Sequence, residues 1–266
     1  MTQSGATKRS DLRLLLLQIR SEQKVRDEEH RSFASYCGLA REQIEVLNVF
    51  DTPSFPDDIA DGYDALLVGG ASEANVLEPE RYTFVHDSQR LLRRAVETRQ
   101  PTFASCFGFQ LVVLALGGTI GHRETDFEMG TLPISLSPDA AEDPLFHDTP
   151  DGFAAVSVHR QYTDQVPAGC RLLAYTDQCV HAFRVGDRPF WAFQFHPEVD
   201  KATLVERLTH YRAHYTDGDD HLGEVLASAQ ETPESNGLMR KFVDRVLLGG
   251  APVMAEGIAA PAERKR

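Results

Sequence analysis

The sequence predicts an α/β fold, a doubly wound and mostly parallel sheet with helices on both faces and a small antiparallel extension. Three observations predict it. Predominantly apolar runs recur at residues 12–18, 44–50, 65–68 and 101–106, as strands covered on both faces require. Segments with helical character lie between or after them, at 21–36, 87–99 and 110–116. Beyond Gly118 the texture changes to short alternating runs, the mark of antiparallel strands.

Taken in order, residues 1–10 are small and polar and read as a frayed tail. Leu12–Gln18 is the first strand, 21–36 a charged surface helix and Ile44–Phe50 the second strand. The prolines and aspartates between Asp51 and Asp61 make a loop. Ala65–Val68 is the third strand, stopped by Gly69-Gly70. The helix at 87–99 has Asp87 placed as its cap, and Pro101 closes it and opens the strand to Cys106. The pattern is β-α-β-β-α-β-α, which puts a site at the carboxyl ends of the strands. Alternating runs follow at 131–136, 154–159, 171–175, 180–185 and 190–195, with Gly186-Asp187 as a hairpin turn between the last two. A helix at 201–215, an acidic loop at 216–220 and helices at 221–229 and 234–248 complete the order. Residues 249–266 are rich in small residues and proline and read as a disordered tail.

Composition narrows the function. With 266 residues and 42% hydrophobic content, the chain can fill one large α/β core. Its net charge of −13 counts against general affinity for nucleic acid or anionic membranes, and solubility accounts for the acidity. The four cysteines, Cys37, Cys106, Cys170 and Cys179, include no CxxC pair, which argues against a zinc ribbon or a thioredoxin-like motif. No metal site is expected. No signal peptide or membrane-length apolar segment stands out, so a cytoplasmic protein with reduced thiols is expected.

Three stretches have the texture of a reaction site. Cys106 lies where an apolar strand turns into a helix. Helix N-terminal N–H groups favour a thiolate there, and the same groups can hold an oxyanion. Gly108 lets the backbone pack closely at the turn. A buried cysteine at a strand end fits the same stretch. Gln194-Phe-His196-Pro-Glu198 ends an apolar strand, and Glu198 stands where it can orient His196 across the proline. An isolated histidine in such a place is more often structural, and it is the set of Cys106, His196 and Glu198 that points to nucleophilic catalysis. Gly69-Gly70 either exposes N–H groups beside Cys106 or makes an ordinary strand-to-helix turn.

Together these stretches resemble the class I, triad-type glutamine amidotransferases. That family shows a glycine-rich oxyanion segment, then G-x-C-x-G-x-Q, then H-P-E. This chain has VGG at 68–70, ASCFGFQ at 104–110 and FHPE at 195–198, with 36 residues from Gly70 to Cys106 and 90 from Cys106 to His196. Ala104 stands where the family usually has glycine, and Ala71 where a proline usually follows the glycines. Within the family the likeness is greatest to the amidotransferase domain of GMP synthases, from HRQYTDQVP and the QFHPE ending.

The resemblance spans about residues 12–215 and implies a flavodoxin-like amidotransferase domain over 11–215, with 216–248 as a helical extension packed on it. It implies Cys106 as nucleophile, His196 as general base and Glu198 as its orienter. The N–H groups of Gly70 and Phe107 would form the oxyanion hole. Gln110 and the segment at Val158-His159 would hold the substrate glutamine. No organic cofactor or metal is implied. The expected reaction is hydrolysis of the glutamine side-chain amide, with ammonia passed to an acceptor on a separate chain. A γ-glutamyl peptide or amine hydrolase would keep the same triad. A catalytically idle regulatory module would keep the fold alone.

Overall fold

The computed structural model describes residues 8–210 and 219–250. Nine strands form one sheet in the order β2-β1-β3-β4-β11-β10-β9-β6-β7. Its parallel half comprises β1 (Leu14–Gln18), β2 (Ile44–Asn48), β3 (Ala65–Val68), β4 (Thr102–Ser105) and β11 (Phe190–Phe193). Its antiparallel half comprises β6 (Glu128–Leu136), β7 (Phe153–His159), β9 (Cys170–Tyr175) and β10 (Val180–Val185). A separate two-stranded sheet pairs β5 (Gly121–His122) with β8 (Gln161–Tyr162). The expected α/β architecture is therefore present, and the alternating runs after Gly118 are the antiparallel half.

The apolar run of β1 shows how the sheet is covered. Leu15 and Leu17 face a core shared with α2 (Phe84–Thr98) and α3 (Phe107–Ala115). Leu14 and Leu16 face a second core, shared with Phe33 of α1 (Gln23–Cys37). Successive strand residues point to opposite faces, so a strand between two helical layers must be apolar at every position.

The remaining helices are α4 (Lys201–His210), α5 (Asp219–Ser228) and α6 (Pro233–Lys241), with a π-helical turn at Phe242–Leu247. Leu238, Met239, Phe242 and Val243 pack into the second core beside Phe103 and Trp191. Leu222 and Val225 of α5 join a third cluster with Met129, Val156 and Leu204.

Two local expectations differ. Asp87 does not cap α2, because the buried Phe84 and Val85 carry that helix further upstream. Instead Asp87 accepts hydrogen bonds from Ser54 Oγ at 2.9 Å and the Phe55 N–H at 3.0 Å, pinning the loop after β2. Residues 9–11 form a 3-10 turn, and the Arg9 guanidinium donates to the Cys37 carbonyl at 2.8 Å and to Asp244. The rest of the expected tails, at 1–7 and 251–266, lies outside the described residues, as do 211–218, where the end of the 201–215 helix and the start of the acidic loop were expected.

The connection that positions the site is β4 to β11. These strands run parallel in register, with Ser105 opposite Phe193. Chain segments 90 residues apart therefore end at the same edge of the sheet.

Candidate active site

Cys106 is the residue between β4 and α3, with φ 49° and ψ −101°. A left-handed φ is costly for a residue with a Cβ and persists only where surroundings fix it. Here the Cys106 N–H donates to the Phe193 carbonyl at 2.7 Å, and its carbonyl accepts the Gln110 N–H at 3.1 Å, opening α3. Cys106 is 3% exposed. Its thiol lies 4.0 Å from the carbonyl of Val158.

Gly108 is required by space. A Cβ there would lie 2.9 Å from Val68 Cγ1 and 3.0 Å from the Val68 carbonyl oxygen. Its N–H donates to the Gly69 carbonyl at 3.2 Å, which ties the cysteine turn to the glycine segment. Ala104 is fully buried, opposite Val68 and Ala192 in adjacent strands, so its methyl is accommodated in the core.

Gly70 marks the convergence. A Cβ on it would lie 2.7 Å from His196 Cε1 and 3.5 Å from Cys106 Cβ. The fold thus brings Gly70, Cys106 and the His196 ring together. Phe107 is the first residue of α3, where an N–H has no acceptor within the helix. Gln110 is buried one turn further on.

His196 Nδ1 lies 2.7 Å from Glu198 Oε1. A carboxylate accepts only, so Nδ1 carries the proton and Nε2 is left free for another partner. Burial alone would lower the imidazole pKa, but the charges of Cys106 and Glu198 outweigh it and push it up to about 9. Burial would raise Glu198, and the charge and hydrogen bond of His196 instead hold it down to about 2.

Several residues of this region carry no motif in the sequence. Arg20, at the end of the β1 run, is 1% exposed and donates from Nε to Glu29 Oε1 at 2.9 Å. Burial would lower its pKa, and the Glu29 carboxylate more than offsets this and raises it. A Cβ on Gly70 would lie 3.0 Å from Arg20 Nη2, so this ion pair backs the glycine segment. A cleft of about 370 Å³, counted out to its open mouth, adjoins His196 and is lined by Arg20, Ser72, Val158, Arg207 and Leu208 among others. Asn236, on α6, donates from Nδ2 to the carbonyls of Pro197 at 2.7 Å and Val199 at 3.0 Å. It thereby fixes the turn that carries His196 and Glu198. The only sequence signal for these residues is polarity at positions whose neighbours are apolar.

Val158 and His159 divide. The Val158 carbonyl reaches the cysteine, whereas the His159 ring turns into a buried cluster around Glu128.

A family model described as glutamine amidotransferase class-I matches residues 36–209. The chain belongs to that family. Among curated class I relatives, the glutamine-hydrolysing GMP synthase of Thermotoga maritima is 28% identical over 177 residues, covering 66% of this chain and 32% of that one. The chain thus spans about a third of the length of the GMP synthases it matches. Gamma-glutamyl peptidase 2 of Arabidopsis thaliana is 23% identical over 175 residues, covering 65% of this chain and 69% of that one. A solved glutamine amidotransferase of Thermotoga maritima shares the amidotransferase fold with TM-score 0.72 at 18% identity, over 89% of this chain and 98% of that one.

Proposed function

We infer that the chain hydrolyses the side-chain amide of glutamine through Cys106, His196 and Glu198. The observation that carries this reading is the convergence of a strained cysteine turn, a glycine segment and a carboxylate-held imidazole at one sheet edge.

The steps follow from the groups present. His196 Nε2 takes the thiol proton, and the Cys106 thiolate attacks the amide carbon. The N–H groups of Gly70 and Phe107 face the developing oxyanion. The imidazolium, held upright by Glu198, gives its proton to the departing nitrogen. Ammonia leaves and a γ-glutamyl thioester remains. His196 then deprotonates a water, which attacks the thioester and releases glutamate and the thiol. Gln110 and the Val158 backbone border the site and hold the amino-acid end of the substrate. The ammonia passes to an acceptor on a separate chain. All four cysteines are free thiols, as a reducing cytoplasm would keep them.

A second reading has its own support. The chain covers 69% of a γ-glutamyl peptidase but 32% of a GMP synthase. A γ-glutamyl peptide would place its leaving group in the cleft between Arg20 and Arg207, where a peptide carboxylate finds positive charge.

The test is hydrolysis of glutamine against a panel of γ-glutamyl peptides, by wild type and Cys106→Ala. Glutamate release should fall at least ~10³-fold in the variant. Release at the wild-type rate would sink the assignment, and the preferred substrate decides between the two readings.

A further inference from the structure

A second cluster of reactive side chains lies behind the triad. Glu128 opens β6, His159 ends β7, and Cys179 and His181 stand at the start of β10. Their ligand-type atoms all lie within 4.8 Å of one another, and all four residues are buried. Glu128 Oε2 is the common point, at 2.7 Å from His181 Nε2, 3.1 Å from His159 Nε2 and 3.3 Å from Cys179 Sγ.

We propose that Glu128, His159, Cys179 and His181 form a four-coordinate site for a divalent cation of the zinc class. Three features beyond proximity carry it. The first is the orientation of His159. Its Nδ1 lies 3.0 Å from the Gln161 carbonyl, which can only accept, so Nδ1 carries the proton. In the neutral ring Nε2 then presents a lone pair, and that atom is buried without a hydrogen bond, 3.1 Å from a carboxylate oxygen. Two acceptors facing each other repel, and a cation between them turns the contact into coordination. The bond from the other ring nitrogen to a backbone carbonyl is how metal-binding histidines are commonly aimed.

The second feature is the donor set. Two imidazoles, one thiolate and one carboxylate are the ligand types of tetrahedral zinc sites. The carboxylate is held from behind, since Thr176 Oγ1 donates to Glu128 Oε1 at 2.7 Å. The third is charge. One carboxylate, one thiolate and two neutral rings neutralise a divalent ion, and a dry site tolerates a neutral assembly far better than a charged one. On binding, the Cys179 thiol loses its proton to solvent and its sulfur lone pair forms the metal bond.

Such an ion would clamp β6, β7 and β10 at the edge that also carries the triad. Val158, whose carbonyl lies against the Cys106 thiol, directly precedes His159. His181 accepts, through its backbone carbonyl, the Gln194 N–H at 2.8 Å, two residues before His196. The ion's role is to brace the site, and the proposal stands apart from the hydrolysis reading because binding is measured without turnover.

The experiment uses the full chain, stripped with a chelator, and a Cys106→Ala form to remove the other buried thiol near a histidine. Each is titrated with Co²⁺ as a spectroscopic probe, then with Zn²⁺ in competition. The expected result is one equivalent of Co²⁺ with a tetrahedral spectrum and a thiolate-to-metal band. That band persists in Cys106→Ala, disappears in Cys179→Ser, and is displaced by Zn²⁺ with a dissociation constant below about 1 μM. Zn²⁺ should also raise the unfolding midpoint of Cys106→Ala, and His181→Gln should abolish that rise. A band that follows Cys106 rather than Cys179 overturns the proposal. So does failure of both Cys106 forms to bind Co²⁺ or Zn²⁺ stoichiometrically, which needs no cluster variant to fold and would leave a hydrogen-bonded core cluster only.

Discussion

Glu198 Oε1 accepts a hydrogen bond from His196 Nδ1 across 2.7 Å, with Pro197 between them in the chain. The pair is local in sequence, yet its value depends on Cys106, which reaches the same edge only through the pairing of β4 with β11. Glu198→Gln keeps the shape of the side chain and removes its charge. The expected loss in kcat is about 10²–10⁴-fold, because the imidazole loses its orienter and the imidazolium its counter-charge.

The same variant should shift the pH profile. His196 is raised from 6.5 to about 9 in the fold, so kcat/KM should decline as pH rises through about 9 and the imidazolium loses its proton. Without the Glu198 charge that limb moves to lower pH. The stability that His196 contributes is fully present below about 6.5 and is lost as pH rises through about 9. Urea unfolding at pH 6, 8 and 10 reads this directly, with a weaker pH dependence expected for Glu198→Gln.

Gly70 and Gly108 should fail in different ways. A Cβ on Gly70 would press on the His196 ring at 2.7 Å, so Gly70→Ala should lower kcat by about 10²–10³-fold with little change in unfolding. A Cβ on Gly108 would meet Val68, including its backbone oxygen at 3.0 Å, so Gly108→Ala should cost about 1–3 kcal/mol of stability. Parallel kinetics and urea titrations separate the two. Equal effects of both variants on stability would contradict the distinction.

Asn236 connects the carboxyl-terminal helices to the reaction. Its two hydrogen bonds to Pro197 and Val199 are buried, and Asn236→Ala leaves both carbonyls to find other donors. The expected cost is about 1–3 kcal/mol in stability. Because the turn carries His196, kcat should fall more than KM rises, and Asn236→Asp, which places acceptor oxygens against those carbonyls, should not rescue it.

Arg20 offers a test of the ion pair behind the glycine segment. Arg20→Met removes the charge and leaves Glu29 buried without its partner, at a cost of about 3–5 kcal/mol. The double variant Arg20→Met/Glu29→Gln should recover part of that loss in a urea titration. No recovery would mean that the pair matters through packing alone.

The fold was legible because both-face burial forces an unbroken apolar run, as in Leu14–Leu17, and because glycines and Pro101 punctuate the elements. The Cys106 turn was legible because strand, cysteine, Gly108 and helix are contiguous. The cap at Asp87 misled because an aspartate near a helix start can instead hold a distant loop, as it does for Ser54 and Phe55. Arg20, Asn236 and the Glu128 cluster were not legible. Each acts through partners brought close only by the sheet order, and no local spacing records that order.

The most direct test of the central claim is labelling with a glutamine-analogue electrophile, read by intact mass and peptide mapping. One adduct per chain, on Cys106, formed faster than on Cys37, Cys170 or Cys179 and suppressed by glutamine, is the predicted result. No adduct on Cys106, or labelling there that glutamine does not slow, would contradict a glutamine-hydrolysing site at this sheet edge.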